Sequence, residues 1–140
     1  IARGDAIVAA LAMGADLAYI GSPFIATTEA NAPDEYKQMI VDSGAQDILY
    51  TDYFSGVHGN YLKPSIVAAG LDPDALAREG ANRMNFGSDR ERPKTWSQIW
   101  GAGQGIGAVR EILPAGELVE RLRREYRKRL DEIAALAKAA

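Results

Sequence analysis

The stretch from Asp5 to Phe24 constrains the fold of this chain more than any other. Ile7 and Leu11 lie four apart with Ala6, Ala9 and Ala10 beside them, which predicts a helix over Asp5–Met13. Its apolar face is built of small residues and can approach a sheet closely. Gly14 stands where such a helix takes its left-handed stop. Leu17-Ala-Tyr-Ile20 is uniformly apolar, the pattern of a buried parallel strand rather than a half-exposed one. Helix, tight loop, buried strand and a Gly21-Ser-Pro-Phe24 turn together make an α/β unit, with Ala26-Thr-Thr-Glu-Ala30 predicted as helical.

That turn also carries chemistry. A strand ending in Gly21-Ser22 before a helix offers free backbone N–H groups and a hydroxyl, a set that can hold a phosphate. The bland alternative is an ordinary strand-to-helix turn with Ser22 as its cap.

Composition removes several function classes. At 140 residues the chain is the size of one ordinary domain, and a net charge of −3 argues against a nucleic-acid surface. Zero cysteines exclude disulfides and thiolate catalysis in these residues, and one histidine argues against a histidine-built metal site. No run approaches the roughly 18 apolar residues that a spanning helix needs, so no membrane segment is expected. Ile1-Ala-Arg-Gly-Asp5 lacks the basic start and apolar core of a signal peptide, which makes the cytoplasm the default location.

Pro33 suits the first turn of the next helix, with Asp34 and Glu35 at its positive end and Ser43-Gly44 as its stop. Asp47–Phe54 reads as a strand or an extended arm. Residues 55–93 read as irregular, with short helices at Pro64–Ala69 and Pro73–Glu79. Pro114 opens a long helix to about Lys138, whose stripe of Leu118, Leu122, Tyr126, Leu130, Ile133 and Leu136 is one apolar face. Interleaved acids and bases make its other faces a solvated surface rather than a nucleic-acid arm.

Two further motifs invite functional readings. Gly101-Ala-Gly-Gln-Gly-Ile-Gly107 lacks the glycine spacing and preceding strand of a dinucleotide fingerprint. Its glycine density predicts a backbone packed tightly on a ligand or another element, with Gln104 offering an amide. His58, in Ser55-Gly-Val-His-Gly-Asn60, has no partner carboxylate apparent nearby in sequence and reads as a structural loop histidine. Asp47 and Asp52 form no identifiable acid pair, and Trp96 and Trp100 read as packing anchors.

Taken together, Ile1–Asp16, Tyr19–Ala30, Tyr36-Lys-Gln38, Phe54–Ile66 and Trp100–Gly107 resemble the nitronate monooxygenase family, formerly 2-nitropropane dioxygenases. The resemblance implies the C-terminal portion of a TIM (β/α)₈ barrel plus a largely helical C-terminal extension. Residues 1–45 would supply the last helix and strand units with half of the phosphate site, and residues 46–140 the extension packing on the barrel. It implies FMN as cofactor, with Gly21 and Ser22 on its phosphate and Gly103, Gln104 and Gly105 closing over the flavin side. The implied reaction is oxidation of nitronates or nitroalkanes, small-molecule substrates, with O₂. Alternatives are a flavin-dependent enoyl-thioester reductase on the same barrel, or a non-catalytic fragment or binding module.

In this family two glycines precede the isoleucine matched by Ile1, and the catalytic histidine belongs to an earlier strand; His58 does not match its motif. The expectation is therefore a partial chain that needs the missing N-terminal part of its barrel, or a homo-oligomer partner. A barrel takes about 250 residues.

Overall fold

The computed structural model describes residues 1–79 and 95–139. Its first helix, α1, spans Gly4–Ala12 and stops as expected: Gly14 takes a φ of +96°, and the Ala15 amide reaches back to the Ala10 carbonyl at 3.0 Å. Residues 17–20 do not form the predicted strand. Leu17 and Tyr19 are 88% and 92% exposed, and no strand among the described residues lies beside them to accept their hydrogen bonds. An apolar run becomes a strand only when a neighbour pairs with it.

The next helical turn begins earlier than expected. α2 spans Ser22–Ile25, because Pro23 has its φ preset for a first turn, and Ala26–Ala30 forms turns instead of a helix. α3, Asp34–Asp42, follows with Asp34 and Glu35 in its first turn. The segment after it is a β-hairpin: β1, Ile48–Thr51, pairs antiparallel with β2, Gly59–Leu62, in the register Ile48↔Leu62 to Thr51↔Gly59. β2 thus falls in a region read as irregular. α4, Lys63–Ala68, and α5, Pro73–Glu79, match their expected positions. α6, Thr95–Gln98, leads to Trp100–Ala102, which runs antiparallel along β2. The Leu62 amide donates to the Trp100 carbonyl at 2.8 Å and the Ala102 amide to the Asn60 carbonyl at 3.3 Å. The part of the expected irregular stretch from 80 to 93 and the side chain of Trp96 lie outside the described residues.

Two apolar clusters flank this hairpin. Leu62 faces Ala26, Ile40, Ala102, Ile106 and Val109, while Leu49 and Tyr61 face Ile66, Leu76 and Ile99. The alternation along β2 sends successive side chains into different cores.

α7, Ala115–Ala139, closes the fold by crossing α1. A methyl group at Gly4 would sit 2.1 Å from the Leu122 carbonyl oxygen, so only glycine permits this approach. The Gly4 amide donates to the Glu125 carboxylate at 2.8 Å across the crossing. Leu118 and Leu122 are buried, whereas Leu130 and Leu136 farther along the same stripe are 42% and 68% exposed. The start of α7 is capped from a distance: Glu29 accepts from the Ala115 amide at 2.8 Å. That amide, and then the Thr28 hydroxyl, hold the Glu29 carboxyl below the usual carboxylate range.

Gly4→Ala is expected to destabilise the protein by about 3 kcal/mol through overpacking. Gly116→Ala, with nothing within 4 Å of the added carbon, should gain roughly 0.5–1 kcal/mol. Denaturant titration checks the pair, and equal stabilities would contradict the close crossing. The lowered Glu29 carboxyl stabilises the fold above its unfolded pKa of ~4.3, and that contribution is lost as pH falls through the folded value. Glu29→Ala should therefore melt below wild type at neutral pH, with the gap closing in acid.

Candidate functional site

Three segments distant in sequence meet around Gly103 and Gly105. Ser22 opens α2, with Gly21 just before it, so both amides lie where a helix leaves its N–H groups without intrahelical acceptors. Opposite them, Gln104–Ala108 winds into a 3₁₀ turn preceded by Gly103. The Gly103 amide donates to Ser22 Oγ at 2.8 Å. Gly105 lies against the start of the chain, since a methyl group there would be 3.6 Å from Ala2 Cβ. Ser22 and Gly103, singled out from separate motifs, are thus in direct contact. Ser22 does not cap its own helix through its side chain.

The glycine density of 101–107 has a local cause at Gly101. A Cβ at Gly101 would be 3.1 Å from the Asn60 carbonyl oxygen, the strand-like neighbour across β2. A Cβ at Gly103 would be 3.4 Å from Ser22 Oγ. The segment is anchored from α3: the Tyr36 hydroxyl donates to the Gly101 carbonyl, and the Tyr36 ring stacks on Trp100 at 4.9 Å. Burial pushes the Tyr36 hydroxyl pKa up. Asn60 Oδ1, on the neighbouring strand, is buried without a hydrogen-bond partner among the described residues.

Gln104 and Gly105 line a cleft of ≈ 590 Å³ together with Ala2, Arg3, Arg110, Arg121 and Glu125. None of these arginines was singled out in the sequence, where each looks like any surface base. His58 also differs from its expected setting, because the hairpin brings Asp52 Oδ2 to 4.0 Å from its Nδ1 and the Tyr50 ring to 4.9 Å. That carboxylate was hidden by the intervening loop. At 4.0 Å the pair is too far apart for a hydrogen bond. Asp47 accepts from the Gly44 amide at 2.8 Å and takes no part in an acid pair. Among the described residues no cluster of histidine, aspartate or glutamate could hold a metal ion, and no helix is long and apolar enough to cross a membrane.

A sequence model of nitronate monooxygenases matches residues 1–125. The chain belongs to the nitronate monooxygenase family. It is 29% identical over 144 residues to a nitronate monooxygenase of Paraburkholderia phytofirmans and 24% identical over 152 residues to one of Neurospora crassa. Each alignment takes in 98% of this chain and 39% of the relative, so the chain spans about two fifths of the length of these proteins. Among solved structures it is similar to nitroalkane oxidase from Streptomyces ansochromogenes, with a TM-score of 0.64 and 30% identity over 95% of this chain and 39% of that one. FabK from Thermotoga maritima matches with a TM-score of 0.65 over 97% of this chain and 45% of that one, at 20% identity, a likeness of fold alone. These neighbours are (β/α)₈-barrel proteins, to part of which this chain corresponds, and the family is flavin-dependent.

Tyr36→Phe should cost about 1 kcal/mol at neutral pH by removing the donor to Gly101. The raised folded pKa of Tyr36 means that its contribution is present below pH ~10 and lost as pH rises through the folded value. Melting temperatures of wild type and Tyr36→Phe should therefore converge in alkali.

Proposed function

We propose that this chain forms the phosphate-anchoring end of an FMN-dependent oxidoreductase that oxidises nitronates or nitroalkanes with O₂. Family membership over residues 1–125 is the observation that carries the reading. The contact between Ser22 and Gly103 supports the assignment of the site.

The residues present fit a phosphate. The space at Gly21 is open, with the nearest atom to an added Cβ being a Tyr19 ring carbon at 3.7 Å. Ser22 Oγ already accepts from Gly103, and its own proton remains free to donate to an anion. Gln104 and Gly105, at the start of the 3₁₀ turn, add further N–H donors on the opposite side. In this reading Gly21 and Ser22 bind the FMN phosphate, and Gly103, Gln104 and Gly105 close over the cofactor.

The redox chemistry, passage of reducing equivalents from a nitronate to O₂, is what FMN supplies when bound. The residues of this chain bind and orient; no residue among them is assigned as catalytic base. Within the complete enzyme, Leu17–Ile20 becomes the barrel strand that its sequence predicts, paired and covered by the rest of the barrel. Residues 1–45 then belong to the barrel and 46–140 to the extension. A homo-oligomer partner is the other means of covering these residues. A cytoplasmic location completes the proposal, supported by the cysteine-free composition.

Two experiments test this reading on the full-length protein. Ser22→Ala combined with Gly21→Ala should weaken FMN binding by roughly 10-fold or more, the worth of one charge-assisted hydrogen bond; unchanged affinity would remove the phosphate assignment. Oxygen uptake with a nitronate should exceed NAD(P)H oxidation with an enoyl thioester. The reverse ranking would favour a reductase, and silence in both assays a non-catalytic binding module.

A further inference from the structure

The ladder between β2 and Trp100–Ala102 is interrupted by a side chain. The Tyr61↔Gly101 bridge fixes the register, so Leu62 and Trp100 stand opposite each other. Such a pair in an antiparallel ladder ordinarily exchanges two backbone hydrogen bonds. Only one is made here: the Leu62 amide donates to the Trp100 carbonyl at 2.8 Å. In place of the return bond, Ser65 Oγ on α4 donates to the Leu62 carbonyl at 2.7 Å and accepts from the Trp100 amide at 3.0 Å. The hydroxyl thus stands between the two backbone groups that would otherwise meet.

Ser65 is fully buried, and these two contacts use its one proton and one of its lone pairs. The bond to Leu62, three residues back, is local; the bond to Trp100, 35 residues onward, is not. Two hydrogen bonds in series span more than one, so the hydroxyl holds the backbones apart at Trp100. The ladder closes again at the next step, where the Ala102 amide donates to the Asn60 carbonyl at 3.3 Å. The opening is confined to Trp100, and it sets the direction in which the chain runs on to Gly103. There the Gly103 amide meets Ser22 Oγ at 2.8 Å.

We infer that Ser65 is a positioning residue for the Ser22 site: its hydroxyl fixes Trp100 and, through Trp100, seats the Gly103 amide on Ser22 Oγ. With Oγ accepting from Gly103, the Ser22 proton is kept from donating in that direction and remains for a ligand. The consequence for FMN rests on the function proposed above; the seating of Gly103 does not.

Amide hydrogen exchange at Gly103 in the FMN-free full-length protein tests the seating. Ser65→Ala should speed this exchange about 10-fold, the worth of one hydrogen bond. In a Ser22→Ala background, where the acceptor is already gone, the same change should add little. Ile66→Val removes a methyl group from the neighbouring fully buried residue while leaving the hydroxyl in place, so Gly103 should then exchange as in wild type. Should Ser65→Ala fail to fold, Ser65→Cys fills similar space with a weaker donor and should give the same change to a smaller degree. Gly103 exchange that ignores Ser65, or that responds equally to Ile66→Val, would overturn the inference.

FMN titration of the same variants reads the consequence. Ser65→Ala should weaken FMN binding about 5-fold, and that loss should vanish in the Ser22→Ala background. An equal loss in both backgrounds is the mark of a general structural defect and would contradict a role through Ser22. A full-length protein that takes up no FMN, yet shows the exchange changes, would end the flavin reading and leave the placement of Gly103 by Ser65 standing.

Discussion

The crossing of α1 and α7 at Gly4 is the constraint on which the arrangement of the site depends. The missing side chain at Gly4 lets the first helix lie against the Leu122 backbone, and the Gly4 amide is then tied to Glu125. Close backbone approach buries Leu118 and Leu122, and it also brings the segment before α1 beside α7. Arg3 and Arg121 share a cleft for that reason. A second long-range tie, from Glu29 to the Ala115 amide, fixes the start of α7 against the turn that follows α2.

The other half of the site depends on the hairpin. β2 provides a template for Trp100–Ala102, and the stacked pair of Tyr36 and Trp100 holds this segment against α3. Because Gly101 is pinned both by β2 and by the Tyr36 hydroxyl, Gly103 emerges directly opposite Ser22. Gly101 serves strand-like proximity to Asn60, whereas a Cβ at Gly103 would meet Ser22 Oγ only at ordinary contact distance.

Much of this was legible in the sequence where the signal is local. The 3.6-residue spacing of α1 and α7, the Gly14 stop and the acidic first turn of α3 all depend on neighbours within a few positions. Ser22 and the Gly103–Gly105 segment could be singled out as motifs, although their contact could not. What escaped depends on distant partners. Leu17–Ile20 has the composition of a strand, but a strand is made by its neighbours. β2 escaped because its seven-residue loop carries none of the two-residue turn signals that announce a hairpin. Gly4 looked like part of a loop, since nothing local reveals that a helix 120 residues onward crosses it. The arginines of the cleft escaped for the same reason: a cluster made by folding leaves no pattern along the chain.

The central claim is that the elements gathered around Ser22 and Gly103 hold the phosphate of a flavin mononucleotide. Phosphorus NMR of the full-length protein loaded with FMN tests it most directly, because a free phosphate monoester changes protonation near pH ~6. Backbone amides and the Ser22 hydroxyl both favour the dianion. The account predicts one phosphorus resonance, shifted from free FMN and unmoved between about pH 5 and 8. A bound resonance that titrates like the free cofactor would contradict it.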